Sequence, residues 1–202
     1  MGRLPTRREV ILAGVAGALC SPACVAAATS TAATSTPGPR FSETDRLQRL
    51  IRIEMLLLFC YRYILGSSVL TRRAHRTLAP FAAHEQAHIA SLERALLARG
   101  GSVPASPQSV AEANHALAHR NIGGRLGQLR GDLDAVRLLL TLEQVTIGAY
   151  FVALMQLQDP EVIVLACSIM GNEAQHDAML SLLYPKETPA EAVQYGLVQG
   201  LR

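Results

Sequence analysis

The sequence predicts an all-α protein: a four-helix bundle made of two helical hairpins joined by a long crossover, in an up-down-down-up arrangement. Three observations predict it. Half of the 202 residues are hydrophobic, yet only 4% are aromatic and none is Trp, a Leu- and Ala-rich balance typical of compact helical chains. No alternating Val/Ile/Thr/Tyr run bounded by turn residues occurs, so strands have no signal. Four long runs instead repeat apolar residues every three or four positions, which lines them up along one face of a helix. The length suits a single domain with a sizeable core.

Residues 1–28 are set apart from the fold. Arg7-Arg8 precede an apolar run from Val10 to Leu19, and small residues follow at Val25-Ala26-Ala27-Ala28. This is the pattern of a twin-arginine-type export signal with an A-x-A-type cleavage site, and it predicts a protein of the periplasm, cell envelope or extracellular space. The alternative is an uncleaved membrane anchor. Cleavage near Ala28 leaves 16 basic and 15 acidic residues, a nearly neutral chain with no basic tract for nucleic acid. No later apolar run reads as a membrane span, so the only membrane contact expected is through the export machinery. Cys60 and Cys167 remain after cleavage, and both are expected as buried free thiols on apolar helical runs. Residues 29–41 form a small, polar, Pro-punctuated linker, residues 42–184 the bundle and residues 185–202 a tail.

The first helix starts at a cap, Ser42 with Asp45 three residues on. Its stripe is Leu47, Leu50, Ile51, Glu54, Leu57, Leu58, Tyr61, Ile64 and Leu65, and Gly66-Ser67-Ser68 breaks it. A second helix, from about 70 to 99, puts Leu78, Phe81, Glu85, His88, Leu92 and Leu96 on one face before Gly100-Gly101 stops it. The crossover that follows is partly helical from Ser109 to His119. Gly131-Asp132 opens a third helix with the stripe Val136, Leu139, Leu140, Glu143, Ile147, Tyr150 and Leu154. Asp159-Pro160 supplies a cap and a first-turn proline for the fourth, which runs to about Leu183 with Val162, Leu165, Ile169, Glu173, His176, Leu180 and Leu183 facing inward.

A glutamate lies on the apolar stripe of each of the four helices. Burying an unpaired carboxylate costs several kcal/mol, on the order of the penalty that normally keeps Glu on the solvated face. Four departures from one rule point to one cause. Two of the glutamates open Glu-x-x-His pairs, Glu85 with His88 and Glu173 with His176, and residues three apart share a helix face.

Spacing makes these residues level. In an antiparallel hairpin, two residues at one height are equidistant from the turn. The midpoint of Glu54 and Glu85 falls at 69.5, beside Gly66-Ser67-Ser68, and that of Glu143 and Glu173 at 158, beside Asp159-Pro160. Glu54 with Tyr61 and Glu143 with Tyr150 both read Glu-x6-Tyr, so the chain looks like one hairpin repeated at a distance of 89 residues. A pseudo-two-fold axis between the hairpins brings four glutamates and two histidines to the centre of the bundle. A helix of about 28 residues is about 42 Å long and an extended chain spans that in about 13 residues, so the crossover is long enough to run back along the bundle.

Glu54, Glu85, His88, Glu143, Glu173 and His176 together offer the oxygen and nitrogen donors that two divalent transition metals need between helices. The set resembles that of the ferritin-like superfamily of di-iron and di-manganese carboxylate proteins, in which each of two helices gives one Glu and each of the other two gives a Glu-x-x-His. The likeness covers residues 42–184 and extends to exported bacterial ferritin-like domain proteins. It implies two Fe or Mn ions per chain, bridged by Glu85 and Glu173, with Glu54 and Glu143 as terminal ligands and His88 and His176 completing the shells. It also implies redox chemistry with O2 or peroxide, of ferroxidase or peroxidase type. Tyr61 and Tyr150 are expected to hydrogen-bond ligand carboxylates.

Three other readings compete. A non-catalytic metal-binding or iron-storage protein needs the same ligands, and a storage shell would need homo-oligomer assembly. A purely structural network of protonated carboxylates is the second. His84-Glu85-Gln86-Ala87-His88 also matches the H-E-x-x-H zinc metalloprotease signature, but that reading leaves Glu54, Glu143 and His176 unexplained, and Asn172 stands in the second copy where His84 stands in the first. His84 is then expected at the surface or behind a ligand.

Overall fold

A computed structural model describes residues 41–123 and 125–183. The segments read from the sequence as an export signal, most of the linker and the tail lie outside the described residues. Among the described residues there are five α-helices and no strands. They are α1 (Glu43–Gly66), α2 (Arg72–Leu97), α3 (Val110–His119), α4 (Asp132–Leu154) and α5 (Pro160–Leu183), with a short 3-10 turn at Leu126–Gln128.

Local chemistry sets the boundaries. Ser42 and Asp45 form a reciprocal capping box at the start of α1. The Thr71 side chain accepts from the Ala74 N–H, so α2 begins two residues later than its apolar pattern suggests. At its far end Gly100 adopts φ +72, a left-handed conformation open to glycine, and the Gly101 N–H returns to the Leu96 carbonyl. Asp159 Oδ1 accepts the Glu161 N–H at the start of α5.

Side-chain clamps at the two ends show the topology. At one end the Thr71 N–H and hydroxyl both donate to the Asp132 carboxylate at 2.6 Å, which sets the starts of α2 and α4 side by side. At the other end Glu43 Oε1 accepts the N–H groups of Gln158 and Asp159, and Arg99 pairs with Asp159, which joins the start of α1, the end of α2 and the α4–α5 turn. Helices α2 and α4 therefore run parallel, and the order is up-down-down-up. Helix α3 lies in the crossover, where Ala113, Leu117, Ile122 and Leu126 pack with Leu57 and Ile64 of α1.

The apolar core falls into two clusters. One gathers Leu57, Ile64, Leu78, Leu139 and Leu180; the other gathers Leu50, Ile51, Leu92, Leu96 and Ile169. On α1, α2, α4 and α5 alike, the stripe glutamate sits where one cluster gives way to the other. The two clusters thus brace a polar layer across the middle of the bundle.

Three expectations need correction. Helix α4, 23 residues long, is by length and composition apolar enough to cross a membrane. Its apolarity follows from its place in the bundle, where Val136, Leu139, Glu143 and Tyr150 are buried. Cys167 is exposed while Cys60 is buried, because α5 is apolar on nearly every face and periodicity cannot tell which side is covered. Leu165 and Leu183, expected inward, are half-buried for the same reason.

Candidate metal centre

The six donors predicted from the stripes converge in the polar layer. Glu54, Glu85, Glu143 and Glu173 are fully buried, His176 nearly so, and His88 is 8% exposed. They form two overlapping groups, Glu54-Glu85-His88-Glu173 and Glu85-Glu143-Glu173-His176, and within each group the donor atoms lie within 4.8 Å of one another. Glu85 and Glu173 belong to both groups.

Each shared glutamate divides its oxygens between the groups. Glu85 turns Oε2 to His88 Nδ1 at 3.3 Å and Oε1 to His176 Nδ1 at 3.0 Å; Glu173 turns Oε1 to His88 Nδ1 at 2.8 Å and Oε2 to His176 Nδ1 at 3.4 Å. Of the two histidines, Glu54 Oε2 faces His88, at 3.5 Å from Nδ1, and Glu143 Oε1 faces His176, at 3.4 Å from Nδ1.

The buried atoms left without a hydrogen bond test whether the layer suits metal ions. Among the described residues they are Glu54 Oε2, Glu143 Oε2, both oxygens of Glu85 and Glu173, Nδ1 of His88 and His176, and one outlier, Ser181 Oγ. Buried polar atoms in folded proteins are nearly always paired. Eight orphans lie in one layer, four to each group, and each group could hold a metal ion.

A comparison with protein-family models matches residues 24–185 to the ferritin-like domain. The chain belongs to the ferritin-like domain family. Comparison with curated proteins and with solved structures gives no match.

The ferritin-like arrangement extends beyond these six residues. The Tyr61 hydroxyl donates to Glu143 Oε1 and the Tyr150 hydroxyl to Glu54 Oε1, each at 2.5 Å, so each hairpin steadies the other's lone glutamate. Both phenols are fully buried, and burial together with the facing carboxylates raises them well above the usual tyrosine range. They are held as neutral donors.

The far nitrogens of the histidines are engaged as well. His88 Nε2 lies 2.9 Å from Asn172 Oδ1, and His176 Nε2 lies 2.9 Å from His84 Nδ1. Position 84 precedes Glu85 and position 172 precedes Glu173, so each hairpin latches the other's histidine from equivalent positions. This places His84 behind His176, against its outer nitrogen, as expected for a residue behind a ligand. The Asn172 latch was missed in the sequence, where Asn172 counted only as a break in the H-E-x-x-H match. The available signal was a polar side chain before the glutamate in both copies. Asp177, next to His176, is buried and accepts from Gln144 Nε2 at 3.2 Å.

Electrostatics of the metal-free layer show what the donors do without cations. Burial works against charge on both imidazoles, but the facing carboxylates outweigh it, so His88 is pushed up to about 12 and His176 to about 11. Burial raises Glu54 and Glu143 well above the carboxylate range. It acts the same way on Glu173, yet the facing Glu143, His176 and His88 side chains prevail and hold that carboxylate below its usual range. Protons occupy the place that positive charge must fill.

Proposed function

We propose that this ferritin-like chain binds two divalent transition-metal ions, iron or manganese, and carries out redox chemistry with O2 or a peroxide. The observation that carries the reading is the even division of eight unsatisfied buried donor atoms into two groups that share Glu85 and Glu173. Glu54, Glu85, Glu173 and His88 would hold one ion, and Glu143, Glu85, Glu173 and His176 the other. Redox ions held there would supply electrons to an oxidant.

The chain's own residues prepare that chemistry. Tyr61 and Tyr150 occupy Oε1 of each lone glutamate and leave its buried Oε2 without a hydrogen bond. Asn172 and His84 fix the ring planes of His88 and His176 with Nδ1 toward the centre. The two apolar clusters exclude bulk water above and below the layer. Export through the twin-arginine-type signal belongs to the same proposal, since a folded protein can be loaded before it leaves the cytoplasm.

Metal analysis of the purified chain tests the reading. Two Fe or Mn ions per chain are expected, with an optical change in the ferrous form on exposure to O2 or hydrogen peroxide. The double substitution Glu85→Ala with Glu173→Ala is expected to abolish tight binding of both ions, and retention of two ions would overturn the assignment. A loaded protein that is inert to both oxidants supports the binding role over the redox role. Uptake of many ions by an assembly of chains supports storage.

A further inference from the structure

Two grooves lie on the bundle's sides, and they differ in what they reach. The one between α1 and α4, about 600 Å³, is lined by Leu50, Val145, Ala149 and other residues that include none of the six donors. Behind it the Tyr61–Glu143 and Tyr150–Glu54 hydrogen bonds close the polar layer with two fully buried phenols. The groove between α2 and α5, about 550 Å³, reaches His88 itself, together with the latch residues His84 and Asn172.

We propose that the α2–α5 groove is the route by which a divalent transition-metal ion enters the centre. The inference rests on the metal-binding reading above and adds a path to it. Small residues make the opening: Ala87 on α2 and Gly171 on α5 line it, and a Cβ built on Gly171 meets nothing within 4 Å. His88 is the donor nearest solvent, with a side chain 10% exposed against 2% for His176. His176 is covered instead, with Phe81 stacked on its ring at 4.2 Å between centroids. No carboxylate lines the groove, while two imidazoles and the exposed Cys167 thiol do. Such donors suit a borderline transition-metal ion better than Mg²⁺ or Ca²⁺, which seek oxygen ligands.

Cys167 also makes the route testable. The other thiol of the described residues, Cys60, is buried, and burial pushes it up to about 12, so it reacts slowly with maleimides. The full-length metal-free chain is treated with a bulky maleimide, mixed rapidly with Co(II), and followed by visible absorption. Loss of the fast uptake phase is expected, with two ions still bound at long times. Cys167→Ser should load at one and the same rate with and without the reagent, which cancels any effect at other thiols. Gly171→Leu fills the groove without a reagent and should slow uptake in the same way. Unchanged uptake in both the alkylated protein and Gly171→Leu would overturn the route and leave the metal-binding reading intact. Failure of the untreated chain to take up Co(II) at all would overturn both.

Discussion

Tyr61 of the first hairpin donates its hydroxyl to Glu143 of the second at 2.5 Å. The bond crosses between hairpins because helical side chains lean toward their own N-terminus. Tyr61 leans back along α1, Glu143 leans back along α4, and the helices are antiparallel, so the two meet. Glu54, on the same helix as Tyr61, lies seven residues away, about 10.5 Å along the axis, and leans the same way.

Tyr61→Phe should therefore strand Glu143 Oε1 in the core. An unsatisfied buried acceptor costs about 1–3 kcal/mol, and Tyr150→Phe should cost a similar amount through Glu54. Urea unfolding of the metal-free variants measures this. Equal and additive losses are expected from the pseudo-symmetry. A loss confined to one of the two would show that the hairpins are not energetically equivalent.

The latches act on metal affinity. Removing an outer partner of a ligand histidine typically costs about 10–100-fold in affinity, and that loss is expected for His84→Ala and for Asn172→Ala in competition with a coloured chelator. His84→Gln should recover most of it, since the amide oxygen can accept from His176 Nε2 as His84 Nδ1 does. Failure of the glutamine variant to recover affinity would mean that the imidazole matters for its stacking on His176, at 5.2 Å between centroids, and not for its hydrogen bond.

How much of this was legible in the sequence follows from what periodicity can record. The glutamates stood out because each broke an apolar stripe, and hairpin arithmetic placed them level without any structure. The partner of each tyrosine was not legible, because it depends on the directions in which side chains of antiparallel helices lean. Asn172 was hidden because a neutral amide beside an apolar stripe breaks no rule. Cys167 was misplaced because α5 is apolar enough on all sides to blur its buried face, and the thiol lines the groove that Ala87 and Gly171 leave between α2 and α5.

The stability of the metal-free chain should fall as pH rises. The histidines, ordinarily at 6.5, are raised to about 12 and about 11; their stabilisation is complete below 6.5 and is lost as pH climbs toward the raised values. Glu54 and Glu143, raised above 4.5, favour the fold most at low pH and act in the same direction. Glu173, held below its usual 4.5, sets the acid limit, since its contribution is lost as pH falls below that value. Thermal melts in chelator should show a midpoint that drops from about pH 4.5 upward, as the two raised carboxyls lose their protons, and continues to drop above 6.5 as the histidines join them. With two ions bound the slope should reverse, because protons then compete with the metal for the same atoms. Parallel slopes with and without metal would contradict the assignment of these residues as ligands.

The same protons can be counted. Four carboxylates in a dry layer need about four positive charges to be neutral, and two divalent ions supply them. A metal-free layer that is also neutral needs four protons in their place: one extra on each of His88 and His176, which face the carboxylates, and one on each of Glu54 and Glu143, the carboxyls that burial raises. Loading at neutral pH should therefore release about four protons per chain. Calorimetric titration with Co(II) in buffers of different ionisation enthalpy reads the number directly. Glu143→Gln, which cannot hold that proton, should release about one fewer. Release of about two protons in the unaltered chain would mean that Glu54 and Glu143 are already ionised before the metal arrives, their charge balanced by the imidazoliums that face them.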